Sequence, residues 1–105
     1  MRCVAALTRP RAPQGDRPLL VQFCANDPAT LLAAAKLVEG KCDGVDLNLG
    51  CPQRIAKRGN YGAFLMDDLE RVRAMVETLA KNLSVPVTVK ARRTRAQARC
   101  VLRLR

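Results

Sequence analysis

The sequence predicts an α/β fold in which strands and helices alternate in the order β-α-β-α-β. Three short apolar runs have the length expected of buried strands, and the two longer segments between them have helical spacing. Helices that connect short apolar strands are typical of crossover connections and therefore of a parallel sheet. The runs are apolar almost throughout rather than alternating, as expected for strands that are covered on both faces.

The first strand and the first helix are predicted from residues 19–40. LLVQFC (19–24) is the apolar run, and Asp27 then provides an N-cap directly before a proline at the first helical position. Apolar residues follow at helical spacing as far as Val38. We expect this helix to end at Gly40, because glycine is the residue most often found just past a helix C-terminus.

The second half of the predicted unit runs from a strand at GVDLN (44–48) to a strand at VPVTVK (85–90). Between them, residues 49–66 are rich in glycine and basic residues, and we expect them to form a loop. Asp67 or Asp68 can cap the helix that follows. That helix is predicted from one apolar stripe, which consists of Leu69, Val72, Val76, Leu79 and Leu83.

The net charge of +10 belongs to the two ends of the chain. Residues 1–17 carry four Arg and one Asp, residues 18–90 carry nine Lys or Arg and eight Asp or Glu, and residues 91–105 carry six Arg and no acid. The predicted folded domain, 18–90, is therefore nearly neutral. We expect a disordered or atypical segment over 1–17, with an organellar presequence as the alternative, and a basic tail over 91–105.

Five cysteines occur in the chain: Cys3, Cys24, Cys42, Cys51 and Cys100. The absence of a CxxC pair and of any histidine argues against a metal site and against a disulfide framework. Reduced thiols in an intracellular compartment, cytoplasmic or nuclear, are the simpler interpretation, with an organelle as the alternative. No apolar run approaches the roughly 18 residues of a membrane span.

A β-α-β-α-β unit occurs both in doubly wound sheets and in (β/α)₈ barrels. FCANDP, which follows the first strand, lacks the glycine fingerprint of a dinucleotide-binding sheet. In a barrel, catalytic residues lie at the C-terminal ends of the strands. Polar or reactive residues follow all three predicted strands: Gln22 and Asn26, then Asp46, Asn48 and Cys51, then Lys90.

Four segments are more specific than this general pattern: VQFCAND (21–27), NLGCPQ (48–53), KRGNYGAFLM (57–66) and SVPVTVK (84–90). In this order and spacing they resemble the tRNA-dihydrouridine synthase family, and most closely its eukaryotic type, which modifies uridines 16 and 17 of the tRNA D-loop. The resemblance covers about residues 17–91. It implies an incomplete (β/α)₈ TIM barrel, since a whole barrel needs about 250 residues.

The resemblance also implies an FMN-dependent oxidoreductase that uses NAD(P)H to reduce the C5–C6 double bond of uridine in tRNA. It assigns Cys51 as the proton donor. A thiol keeps its proton near neutral pH, as a general acid must, although a cysteine taken alone is more often a buried structural thiol. The resemblance further implies that Gln22 and Lys90 bind the flavin and that Asn48 binds the substrate uracil.

Lys57 and Arg58, in the predicted loop, are candidates for contacts with tRNA phosphates or, equally, solvated surface charges. Two alternatives to a synthase remain open. One is another FMN barrel reductase, of the dihydroorotate dehydrogenase type, although Gly50 stands where those enzymes typically have serine. The other is a non-enzymatic RNA-binding module that uses the basic ends.

The segment 91–105 departs from the family pattern, and its composition is typical of a truncated or frame-shifted reading frame. We also expect the chain alone to bind FMN weakly and to be inactive, because three parallel strands would leave both edges of the sheet unpaired.

Overall fold

A computed structural model describes residues 17–92 and 99–101 of the chain. Its four strands form one sheet in the order of the sequence: β1 (Leu20–Phe23), β2 (Gly44–Leu49), β3 (Val87–Arg92) and β4 (Arg99–Val101). β1, β2 and β3 are parallel, which confirms the predicted α/β class and strand order. The expectations for 1–17, apart from Arg17, and for most of 91–105 fall outside the described residues.

The strand β4 was not predicted from the sequence. It pairs antiparallel with β3, so that Ala91 lies opposite Cys100. The expectation that both sheet edges would be unpaired is therefore wrong for the β3 edge. The reason is that an antiparallel neighbour needs only a short connection and no crossover helix.

Three helices and two 3₁₀ segments connect the strands: α1 (Pro28–Lys36), a 3₁₀ segment (Glu39–Lys41), α2 (Arg54–Gly59), a 3₁₀ segment (Gly62–Asp67) and α3 (Leu69–Asn82). The predicted helices correspond to α1 and α3. The region 49–66, expected to be a loop, contains α2 and part of the second 3₁₀ segment. No helix in the described part of the chain is long and apolar enough to cross a bilayer.

The start of α1 is as predicted, but its end is not. The side chain of Asp27 accepts a hydrogen bond from the Thr30 backbone N–H at 2.8 Å, which satisfies one donor of the first turn. The helix ends at Lys36, short of Gly40. Its last turn tightens, since the N–H groups of Leu37 and Val38 bond the carbonyls three residues back.

The buried face of α3 differs from the predicted stripe at two positions. Val76 and Leu79 are buried as expected, and so is Met75, which the stripe omitted. Leu69 is 66% exposed and lies outside the core. Met75 falls between Val72 and Leu79 on the same helix face. Since Leu69 is exposed and Val72 packs against the core, the apolar surface begins one turn later than the spacing suggested.

The core lies on one face of the sheet. Alternate strand residues point to opposite faces, and the odd-numbered residues of the parallel strands are buried in one cluster with Leu31, Ala35, Met75 and Leu79 of the helices. These strand residues are Val21, Phe23, Val45, Leu47, Leu49, Val87 and Val89. The even-numbered residues therefore share the opposite face, where the side chains beyond the pair Leu20 and Gly44 are polar.

Candidate active site

The polar face of the sheet brings together five side chains from three strands. Gln22, Asp46 and Thr88 are aligned in register across β1, β2 and β3. Asn48 and Lys90 are aligned in the same way one step further towards the C-terminal strand ends. Side chains at registered positions of parallel strands share one face, so the sheet itself sets these five residues next to one another.

Four of these side chains form a connected hydrogen-bond network. Gln22 Nε2 donates to Asp46 Oδ2, and Thr88 Oγ1 donates to Asp46 Oδ1 at 2.6 Å. Asn48 Nδ2 donates to Gln22 Oε1 at 3.1 Å. The network ends where the backbone N–H of Gly50 donates to Asn48 Oδ1 at 2.9 Å. Two of the predicted site residues, Gln22 and Asn48, are therefore in direct contact.

Asp46 and Thr88 are the members of the network that sequence reasoning missed as functional residues. Asp46 was placed at a strand end without a role, and Thr88 was not singled out. Both are buried, at 8% and 7% exposure. The polar pairs at 46/48 and 88/90, each interrupted by one apolar residue, are the signal that could have identified them.

Lys90 is the only predicted site residue on β3. Its side chain is half-buried, and it forms no ion pair with any residue of 17–92. A lysine in this position offers an unneutralised positive charge to whatever binds beside Asn48. No group of three metal-ligating side chains occurs among the described residues.

Cys51 lies two residues beyond the end of β2 and is half-buried. Its carbonyl oxygen accepts a hydrogen bond from the backbone N–H of Ala63 at 3.0 Å. Gly62, with φ of +67°, packs directly against it. The two motifs NLGCPQ and KRGNYGAFLM are therefore in contact, although the structure records no hydrogen bond between the Cys51 side chain and the polar network.

The chain between the two motifs is shaped by the end of α2. Asn60 takes the left-handed conformation, with φ of 51°, and donates its N–H to Lys57. Tyr61 N–H bonds the carbonyl of Ala56 at 3.0 Å, which completes a Schellman motif. The Asn60 cap could have been recognised in the sequence, but a helix of six residues is too short for apolar periodicity to reveal it.

A residue that follows β1 also holds this segment. Asn26 Nδ2 donates to the carbonyl of Gly59 at 2.7 Å, which ties the end of the first strand to the end of α2. A Cβ on Gly59 would overlap the ring of the buried Tyr61. The segment after Cys51 is thus fixed by the Asn60 cap, by the buried ring of Tyr61 and by the hydrogen bond from Asn26 to Gly59.

Lys57 and Arg58 lie on α2 rather than in a loop, and both are exposed. Arg54 is exposed on the same helix, and its spacing from the other two puts the three cations on one side. None of them forms an ion pair with the described residues. The structure therefore shows a compact cationic surface, Arg54–Lys57–Arg58, on the helix that follows Cys51.

The chain matches the dihydrouridine synthase (Dus) family over residues 4–100. It therefore belongs to that family, and its sheet of β1, β2 and β3 with the connecting helices is a partial TIM barrel.

Several relatives are similar over about three quarters of the chain. The tRNA-dihydrouridine(16/17) synthase [NAD(P)(+)] of Saccharomyces cerevisiae is 69% identical over 77 residues, which are 73% of this chain and 18% of the relative. The mouse tRNA-dihydrouridine(16/17) synthase [NAD(P)(+)]-like protein is 57% identical over 77 residues, 73% of this chain and 16% of its own length. The human tRNA-dihydrouridine(20a/20b) synthase [NAD(P)+]-like protein is 44% identical over 82 residues, 75% of this chain and 26% of its own length. The chain thus spans about a quarter or less of each of these relatives.

Proposed function

We propose that this chain carries the proton donor and the flavin-edge residues of a tRNA-dihydrouridine synthase of the 16/17 type. The observation that carries the proposal is the direct hydrogen bond between Asn48 and Gln22 at the strand ends. This bond joins Asn48, which the family resemblance assigns to the substrate uracil, to Gln22, which it assigns to the flavin. Cys51 follows three residues after Asn48, held by the second motif.

The residues at this edge of the sheet fit the polar rim of a flavin ring by their donors and acceptors. Gln22 and Asn48 each keep one amide N–H and one carbonyl lone pair beyond the bonds they make to protein. Lys90 adds a cation that would stabilise negative charge on the ring. Bound FMN, reduced by NAD(P)H, would supply the hydride for C6 of the uracil. The proposal concerns only the edge of the flavin ring, because the described residues offer no comparable cluster of polar side chains for the phosphate of FMN.

In this proposal Cys51 holds the proton that C5 of the uracil receives. Its Sγ belongs to a half-buried residue at the mouth of β2, so that it can meet a bound base and still be reprotonated from solvent. The backbone bond between Ala63 and the Cys51 carbonyl limits how far the thiol can move. Positioning of this kind is what a general acid requires, since proton transfer needs the donor within hydrogen-bond reach.

The proposed substrate is a uridine of the tRNA D-loop. Asn48 has the donor and acceptor needed to read the edge of a uracil. The Arg54–Lys57–Arg58 surface lies on the helix that begins three residues after Cys51, where it can contact phosphates that flank the target base. Phosphate contacts would orient the tRNA, while Asn48 would select the base.

A segment exchange tests the proposal. Residues 18–90 of this chain would replace the matching stretch of the Saccharomyces cerevisiae synthase, to which it is 69% identical over 77 residues. We expect the exchanged enzyme to form dihydrouridine in tRNA, measured by mass spectrometry of the nucleosides. Cys51→Ala in the exchanged segment should lower the rate by roughly 10²- to 10⁴-fold, the range for loss of a general acid.

Two outcomes would contradict the proposal. One is an exchanged enzyme that folds and retains FMN but makes no dihydrouridine. The other is a Cys51→Ala variant as fast as its parent. Reduction of free pyrimidine without reduction of tRNA would instead favour a reductase of the dihydroorotate dehydrogenase type.

A further inference from the structure

Asp46 is a buried carboxylate to which the proposed reaction gives no role. It lies on the central parallel strand between Gln22 and Thr88, and only 8% of its surface is exposed. None of the ion pairs formed within 17–92 includes it. Each of its oxygens instead accepts a hydrogen bond from a neutral side chain. A buried carboxylate is unfavourable unless it is hydrogen-bonded, so the bonds from Gln22 and Thr88 are what allow Asp46 to lie in this row.

The two ends of the network have fixed hydrogen-bonding polarity. Both oxygens of Asp46 accept hydrogen bonds in this network, and the backbone N–H of Gly50 can only donate. Between them stand the amides of Gln22 and Asn48, each of which could in principle face either way. Asp46 requires the Nε2 side of Gln22, which leaves Oε1 facing Asn48. Gly50 requires Oδ1 of Asn48, which leaves Nδ2 facing Gln22. Only one arrangement satisfies all the bonds.

We propose that Asp46 is a positioning residue whose carboxylate fixes the orientation of the Gln22 amide at the strand ends, as the Gly50 N–H fixes that of Asn48. The free N–H and the free lone pair of each amide then point in one defined direction. What those groups bind rests on the proposed function, but the orientation itself depends only on the network.

The amide orientation can be measured by NMR on the ¹⁵N-labelled 105-residue chain without any cofactor. In the wild type we expect one side-chain N–H of Gln22 and one of Asn48 to exchange slowly with solvent, each residue giving a single pair of signals. Asp46→Asn keeps the size of the side chain but can present either an oxygen or an NH₂ group to Gln22. We expect the Gln22 signals to broaden or double in this variant, because the bond from Asn48 alone then orients Gln22. The Asn48 signals should stay single, because Gly50 still donates to Oδ1.

Thr88→Val is the matched control. It removes the other hydrogen bond to Asp46 from the same buried row, but it leaves the polarity of the Gln22 bond unchanged. A purely structural role predicts similar spectra for both variants, whereas the positioning role predicts that Thr88→Val keeps single amide signals. Unchanged signals in Asp46→Asn would overturn the proposal. If Asp46→Asn does not fold, the wild type still tests the proposal. Rapid exchange of both Gln22 side-chain N–H protons with solvent would by itself overturn it.

A second measurement uses the segment-exchanged synthase. There Asp46→Asn should raise the FMN dissociation constant by roughly five- to tenfold, the effect of about one hydrogen bond. In a Gln22→Leu background it should have no further effect, since Asp46 acts through Gln22. Additive effects would overturn the proposal. If the unmodified exchanged enzyme fails to bind FMN, the proposed function fails, while the NMR result still decides the role of Asp46.

Discussion

Gly62 lies against Cys51 with no room for a side chain between them. A Cβ built on Gly62 would stand 2.8 Å from the Cys51 carbonyl oxygen and 3.0 Å from its Cβ. The same carbonyl accepts the N–H of Ala63, and Gly62 has a φ of +67°. Glycine is required here for its conformation and for its size, because L side chains rarely adopt positive φ. The second motif thus determines where the candidate proton donor lies.

Gly62→Ala should therefore destabilise the fold and displace Cys51. We expect a loss of roughly 1–3 kcal/mol in the free energy of unfolding, from the positive φ and from the contact, measured by chemical denaturation. The rate of alkylation of Cys51, followed by peptide mass spectrometry, should change as well.

Gly40→Ala is the control for this substitution. No atom lies within 4 Å of a Cβ built on Gly40, and its φ is not positive. Its stability should stay within about 0.5 kcal/mol of the parent. Equal effects at the two glycines would show that contact with Cys51 does not matter.

The two ends of the predicted α3 stripe should respond differently to truncation. Leu79 is fully buried, so Leu79→Ala should cost about 2–5 kcal/mol of stability through lost burial and a cavity. Leu69 is 66% exposed, and Leu69→Ala should cost less than about 1 kcal/mol. Urea unfolding of both variants measures the difference, and a loss at Leu69 as large as that at Leu79 would contradict the observed packing.

Glu39 should make stability depend on pH in the acidic range. Hydrogen bonds from Lys36, and then from the backbone and hydroxyl of Ser84, lower the pKa of Glu39 from 4.5 to about 2. A carboxylate whose pKa is lowered by folding contributes stability above its unfolded pKa, and the contribution is lost as pH falls through the folded pKa. The denaturant concentration at the unfolding midpoint should therefore decrease as the pH is lowered from about 5 to about 2. Glu39→Gln should make the midpoint depend less on pH in this range. If the pH dependence of stability is the same in Glu39→Gln as in the parent, other carboxylates cause it.

Cys42 should resist alkylation in the folded chain. Burial raises the pKa of its thiol, and only 6% of the residue is exposed. The thiolate is the reactive form, so modification by iodoacetamide at pH 8 should require unfolding. Peptide mass spectrometry with and without urea tests this. Rapid labelling of Cys42 without urea would contradict its buried position.

The Arg54–Lys57–Arg58 surface should contribute to the affinity of the chain for tRNA. Replacing all three residues by Glu should weaken binding and reduce the slope of log affinity against log salt by about two to three. The control replaces Lys41, Arg73 and Lys81 by Glu, which changes the net charge equally. Because Arg73 and Lys81 pair with Glu77, circular dichroism first checks that this variant is folded. Equal losses in both variants would mean that only net charge matters, and loss of binding on removal of residues 91–105 alone would favour the basic ends.

Much of the fold could be predicted because the relevant information is local. The apolar runs at 19–24, 44–48 and 85–90 correspond to the three parallel strands, and Asp27 and Asp68 cap the helices that follow them. Element ends were less predictable. α1 ends at Lys36 rather than at Gly40, since contacts and 3₁₀ bonding decide where a helix ends.

The sequence by itself determined the order of the elements and the motifs that mark the family, because both depend on residue type and spacing. Only the tertiary structure decided that Gln22, Asp46 and Thr88 form one row, that Asn48 bonds Gln22, and that Gly62 touches Cys51. These relationships join residues up to 66 positions apart in the chain, from Gln22 to Thr88. They are fixed by strand register and by close packing of the backbone, which the spacing of residues along one strand cannot specify.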